Sequence, residues 1–284
     1  MTIAAAATRT ATRSTATTAD AAGRGPATTT RTPRRGTTTA TIMLEELTWP
    51  LVEKAMKDGY RTVLVPVGSI EQHGHHLPLA TDTLLGEALC RRLAEKLGKT
   101  LVAPVIRPGC SDHHMAFPGS LDVSPATLMS VVRDVCLSLD HHGFENIILV
   151  PSHGGNFAPV ATVTQELAPK LKANLIAMGD LMGLIGKMQE GAVEAGIPRE
   201  AVGGHACAGE TSIILAYRPD LVRMKDAKPG YIGPFTSKYQ RKGFRAITPT
   251  GVLGDPRPAT KEAGQLMIEK ITDMYLAAIK RELE

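Results

Sequence analysis

The sequence predicts an α/β fold, a three-layer α/β/α sandwich with a mostly parallel sheet. Two observations carry this reading. Short apolar runs rich in β-branched residues alternate with longer segments of helical apolar spacing, the pattern of strands joined by crossover helices. The first and third of these runs lead straight into turns that carry acids and histidines, as expected where a parallel sheet presents its carboxyl edge. With 284 residues, the chain is long enough for one large domain with a substantial core.

Leu44 to Lys57 reads as an opening helix, with Thr48 as N-cap and Pro50 in the first turn, where its missing donor costs little. Trp49 is the only tryptophan and is expected to pack that helix against the sheet. Residues 61–67 form the first strand, a buried β-branched run closed by Gly68 and Ser69. Asp82 to Lys96 reads as a helix, with Leu84, Leu85, Leu89 and Leu93 at helical spacing. Leu101 to Ile106 is the second strand. Ser124 caps the next helix, which has Pro125 at its first position, runs to about His142 and ends at Gly143. Asn146 to Pro151 is the third strand, and residues 173–180 are the fourth. Residues 181–202, a loop and a helix, are expected to cover the site. Residues 227–250, rich in Gly, Pro, Lys and Tyr, read as a long ordered loop or a subunit contact. Thr260 to about Arg281 is the last helix, with Leu266, Met267, Ile271, Met274 and Tyr275 on one side.

Residues 1–41 differ from this body, which spans 42–284. They are mostly Thr, Ala, Gly and Arg, with six arginines against the single acid Asp20, a net of +5. The whole chain carries +4, so the remainder is slightly acidic and the basic balance belongs to the tail. Such a composition buries too little apolar surface to offset the entropy of ordering it, and a disordered tail is expected. An organellar transit peptide, a nucleic-acid-binding arm without stacking aromatics, or a start codon set too far upstream would each give this composition. There is no secretory h-region and no apolar run of membrane-spanning length. The four cysteines, Cys90, Cys110, Cys136 and Cys207, show no metal or disulfide spacing and read as reduced thiols of a cytoplasmic protein.

Chemistry concentrates after the first strand, where Glu71, His73, His75, His76 and Asp82 fall within twelve positions. Glu71 and His73 are two apart, so in extended chain they point the same way, and Asp82 can fold back across the loop. One imidazole and two carboxylates at a strand end suit zinc, manganese or iron(II). His153, directly after the third strand, is expected at the same sheet edge, with Gly154 and Gly155 allowing close backbone approach.

The run G-S-I-E-Q-H-G-H-H-L-P-L-A-T-D closely resembles the signature of the creatininase (creatinine amidohydrolase) family, and the resemblance continues almost to the C-terminus. It implies a dinuclear metal amidohydrolase with creatininase-type topology, assembled as a homohexamer. P-S-H-G-G-N-F resembles the family element whose His, here His153, is a metal ligand. In creatininase proper a Glu two residues later also binds metal, and here that position is Gly155. Glu210, in G-H-A-C-A-G-E-T-S, is the expected replacement, although an acid before an apolar run also suits a helix N-terminus. His205 stands where family mechanisms assign proton transfer. His114 takes the family's His position in the loop after the second strand, while His113 replaces the more usual Glu. His114, Ser111 and Asn156 are expected on the substrate side.

These residues lead to the expectation of a hydrolase that uses two divalent ions per chain (Zn, Mn or Fe), with Glu71, His73, Asp82, His153 and Glu210 as ligands. His205 and Glu210 are the catalytic candidates, acting on a linear or cyclic amide of a small molecule. Creatinine hydrolysis proper, deformylation of a formylaminopyrimidine nucleotide and peptide trimming in redox-cofactor maturation are the narrower alternatives. A metal-binding protein without hydrolase activity and a nucleic-acid-binding module are the readings outside this class. No tryptophan follows Trp49, whereas creatininase proper encloses its substrate with tryptophans.

Overall fold

The computed structural model describes residues 41–233 and 241–284. The expected tail over residues 1–41 therefore falls, Thr41 apart, outside the described residues. Four strands form one parallel sheet in the order β2-β1-β3-β4. They are β1 (Thr62–Val67), β2 (Thr100–Val102), β3 (Asn146–Pro151) and β4 (Asn174–Ala177). β1 lies inside the sheet, paired with β3 along its whole length from Thr62↔Asn146 to Val67↔Pro151.

Alternation along the strands divides the core into two layers. Leu64, Val102, Ile148 and Val150 face one side, where they meet α2 (Thr81–Leu97), α5 (Leu181–Glu194), α6 (Ala208–Tyr217) and α7 (Lys261–Leu283). Val63, Val65, Leu101, Ile147 and Leu149 face the other, where they meet α1 (Trp49–Lys57), α3 (Pro125–His141) and α4 (Phe157–Leu167). The three-layer sandwich is as the sequence predicts. A separate antiparallel pair, β5 (Val202–His205) and β6 (Leu253–Gly254), lies outside the main sheet.

The topology fixes where chemistry can sit. After β1 the chain turns into α2 on one face, and after β3 it turns into α4 on the other. The two loops diverge at the carboxyl ends of adjacent strands, which opens a crevice there.

Three expectations change. Trp49 does not pack against the sheet but is 79% exposed, because it lies about 120° round the helix from Ala55, the buried residue of α1. The opening helix is split, a 3₁₀ turn over Leu44–Glu46 preceding α1. The second strand stops at Val102, since Pro104 has no N–H for the ladder, and Ile106 rejoins only as an isolated bridge to Val67. Among the described residues no helix is long and apolar enough to cross a membrane.

The closest helix contact is between α6 and α7. A Cβ on Gly264 would sit 1.9 Å from the Ser212 carbonyl oxygen. Gly→Ala inside a helix ordinarily stabilises by about 1 kcal/mol, but here the added methyl meets backbone. Gly264→Ala is expected to destabilise by about 1–3 kcal/mol in a urea melt, the overpacking term outweighing propensity.

Candidate metal centre

Gly68 ends β1 against the first turn of α2, with a backbone approach that leaves 2.9 Å between a would-be Cβ and the Thr83 Cα. The excursion that follows is closed by Glu71 N–H donating to the Leu79 carbonyl at 2.9 Å. Glu71 and Asp82, eleven positions apart in the chain, are thereby set side by side. Asp82 stands in the first turn of α2, where the helix dipole favours its charge. Ser152, after β3, donates its hydroxyl to the Asp82 carbonyl at 2.7 Å, which ties the second loop to the first. His153 follows. His205 ends β5, and Glu210 occupies the first turn of α6.

These side chains converge and are all buried. His73 Nε2 lies 3.3 Å from Asp82 Oδ1 and 3.8 Å from Glu210 Oε2. His153 Nδ1 lies 3.3 Å from Asp82 Oδ2 and 3.3 Å from Glu71 Oε1. His205 Nδ1 is 3.7 Å from Glu71 Oε1. Three sets of three are close enough to share an ion: Glu71–Asp82–His153, His73–His205–Glu210 and Glu71–His114–His205. Both Glu71 oxygens, His73 Nε2 and Asp82 Oδ2 are buried without a hydrogen-bond partner. Buried polar atoms are rarely left so, and each costs roughly 1–3 kcal/mol when it is.

The outer nitrogens of the two histidines are occupied. His73 Nδ1–H donates to the Glu71 carbonyl at 3.1 Å, and His153 Nε2–H donates to the Cys110 carbonyl at 2.9 Å. Each ring therefore presents its other nitrogen to the carboxylates, the usual way in which a second hydrogen bond orients a histidine ligand.

Electrostatics point the same way. Burial opposes charge on His73, but Asp82, Glu210 and Glu71 outweigh it and push the ring up to about 10. His153 is likewise held well above its usual range, because Glu71 and Asp82 overcome its burial. Burial would raise Asp82, yet His73 and His153 hold it well below the carboxylate range. Glu210 is pushed up to about 7, chiefly by burial and only partly opposed by His73. His205 goes the other way, lowered by burial and by the neighbouring charge of His73. Three buried carboxylates draw positive charge onto the histidines, and among the described residues no lysine or arginine forms an ion pair with them. The donor set, its unpartnered oxygens and its charge fit divalent cations.

The structure brings together all six residues expected as ligands or catalysts. The other three expected residues are placed as follows. Ser111 is fully buried with its hydroxyl 2.6 Å from that of Ser69. Asn156 spends its side chain on the backbone, accepting from Cys110 N–H at 3.0 Å and donating to the Val67 and Gly68 carbonyls at 3.1 and 2.9 Å. It staples the loops after β1, β2 and β3 together. His114 borders the cleft, but its Nε2 lies 3.2 Å from Glu71 Oε1 and its Nδ1 2.9 Å from Gln72 Nε2. Glu210 also accepts from Ala206 N–H, so the capping role is present beside the approach to His73. Cys207 is core. Two residues were not anticipated as site components: Gln72, between Glu71 and His73 in the chain, and Phe244, whose ring lies 4.2 Å from that of His114 and 5.0 Å from that of His205. The polar residue between two site residues was the available signal for Gln72, whereas nothing near Phe244 marks it.

A cleft of about 780 Å³ opens over the cluster. Leu181, Ile185 and Met188 of α5 line it together with Tyr231, Ile232 and Phe244, and its acids include the exposed Asp112, Asp122 and Glu200. Residues 181–202, expected to cover the site, contribute to its lining.

The model of the creatininase family, described as creatinine amidohydrolase, matches residues 45–279. The chain is 28% identical over 260 residues to the creatinine amidohydrolase of Pseudomonas putida, covering 85% of this chain and 97% of that protein. It is 31% identical over 228 residues to a mycofactocin precursor peptide peptidase of Mycolicibacterium smegmatis, covering 77% and 84%. A solved mutant creatininase of zinc–zinc type superposes with a TM-score of 0.70 at 27% identity, covering 86% of this chain and 99% of that one.

At Gly155, where creatininase proper has a Glu, a Cβ would lie 2.1 Å from the Cys110 carbonyl oxygen and 2.6 Å from His153 Nε2. The same carbonyl holds the His153 ring. Gly155→Ala is therefore expected to displace that ring and lower the metal content of the purified protein, read by elemental analysis beside a thermal melt. Unchanged metal and stability would show that the Cys110 loop yields freely.

Proposed function

The chain belongs to the creatininase family, and on that premise we propose that this hydrolase cleaves an amide C–N bond with water activated between two divalent ions. One observation carries the reading: unpartnered buried atoms of Glu71, His73 and Asp82 converge on one space. The two Asp82 oxygens face different histidines, Oδ1 toward His73 and Oδ2 toward His153. That arrangement supports Asp82 as the bridge, with Glu71 and His153 holding one ion and His73 and Glu210 the other. Zinc, manganese and iron(II) all suit such a mixed nitrogen and oxygen set, and the zinc–zinc creatininase supports a pair.

Bound divalent ions make water acidic enough to act as a nucleophile near neutral pH and polarise an amide oxygen. The remaining chemistry belongs to the protein. His205 Nε2–H is committed to the Gln72 main-chain carbonyl at 2.9 Å, so Nδ1 is the atom free to carry a proton. A proton taken up at Nδ1 from the attacking water would be passed to the departing nitrogen, the step an unactivated amide needs. Phe244 packs on His205 and helps exclude bulk water from it. An intact proton carrier beside the ligand set favours catalysis over metal binding alone.

The cleft exceeds what one small lactam needs, and its walls are aliphatic and aromatic. This favours an amide within a larger molecule over creatinine. The carboxylates of Asp112, Asp122 and Glu200 along the lining disfavour an anionic nucleotide. Trimming of a peptide, the activity named for the mycobacterial relative, is the second reading that the cleft supports. A homo-oligomer is part of the proposal, and the exposed Trp49 and Leu51 of α1 offer apolar surface for a second copy.

Three substitutions test the assignment. Asp82→Ala is expected to remove both ions, measured as metal per chain. Glu210→Gln should lower metal content together with rate, whereas a purely capping role would cost only about 1 kcal/mol with metal retained. His205→Ala should keep the metals but slow turnover of the best amide in a panel of formamides, lactams and dipeptides by roughly 10²–10⁴-fold. Equal turnover by that variant would exclude His205 as the proton carrier.

A further inference from the structure

Gln72 reaches three partners at once. Its Nε2 lies 2.9 Å from His114 Nδ1, 2.9 Å from His205 Nε2 and 3.1 Å from the Gly251 carbonyl oxygen. Its Oε1 accepts from Gly74 N–H at 3.0 Å. That last bond sets the amide orientation, since a flipped amide would place two donors against each other. Nε2 has two protons for three neighbours. His205 Nε2 also faces the Gln72 main-chain carbonyl, which can only accept, so it carries its own proton there. The amide protons then go to Gly251 O and to His114 Nδ1. Accepting at Nδ1, neutral His114 must carry its proton at Nε2, the atom 3.2 Å from Glu71 Oε1. The ring is held in place by Phe244 at 4.2 Å and His205 at 4.5 Å.

This bears on a third set of potential ligands, Glu71–His114–His205, which is as close-set as the other two. We propose that Gln72 is a positioning residue that holds His114 in its Nε2–H tautomer, which puts a proton on the nitrogen that faces Glu71 and keeps it from serving as a metal ligand. An Nδ1 that accepts from the Gln72 amide excludes the doubly protonated ring. A proton on Nε2 blocks the only nitrogen of His114 that faces the centre. The consequence for metal binding rests on the ligand reading above, but the tautomer does not.

The test is ring ¹⁵N NMR of zinc-loaded protein labelled at histidine, with the His114 signals identified by their loss in His114→Gln. The wild-type ring is expected to show a protonated Nε2 and an unprotonated, hydrogen-bonded Nδ1. Gln72→Glu replaces the donor by an acceptor and should exchange the two signals, placing the proton on Nδ1. Gln72→Leu removes the partner and should give a mixture. In each variant His205 keeps its main-chain acceptor and should keep its tautomer. A wild-type His114 protonated at Nδ1 overturns the proposal without recourse to any variant, and so does a folded Gln72→Glu protein with the wild-type pattern. Protein that holds no zinc but shows the expected tautomers would count against the metal reading alone.

Discussion

Three carboxylates share one buried space, and among the described residues no lysine or arginine pairs with them. Isolated buried charge of that kind is expensive enough to unfold a domain unless something positive compensates it. The surrounding structure reads as a response to this constraint. Histidines stand opposite each carboxylate, the first turns of α2 and α6 supply their dipoles to Asp82 and Glu210, and glycines let the backbone close around the cluster. A divalent cation would fit the electrostatics of this cluster, and the sheet serves as the rigid frame on which it is hung.

Position follows from topology. Adjacent parallel strands whose exits turn to opposite faces leave a crevice, and two loops reach it from β1 and β3. Asn156 and Ser152 bind those loops to each other through the backbone. The β5–β6 pair and α6 bring in the third component, His205 and Glu210, from beyond the main sheet. His205 and Glu210 thus reach the cluster from a different part of the chain than Glu71, His73, Asp82 and His153.

Much of this is legible in the sequence because it is local. An apolar strand followed by Glu71, His73 and Asp82 announces its chemistry within one loop, and His153 follows its own strand. The layers follow from alternation and helical spacing in the same way. What the sequence conceals depends on distant partners. The Asn156 side chain looks available to substrate until the Val67 and Gly68 carbonyls, separated from it by 89 and 88 positions, come within reach. Ser111 is diverted by Ser69 in the same manner, and Gln72 meets Gly251 across 179 positions. Trp49 misleads for a different reason: its size suggests burial, but its angular position on α1 turns it outward.

Gly155 has a bearing on descent. The Cys110 carbonyl occupies the space that any side chain at 155 would need, and it also orients His153. A side chain at 155 would meet the carbonyl that orients His153, so an exchange that brought a carboxylate there would require the Cys110 loop and the loop after β3 to change together.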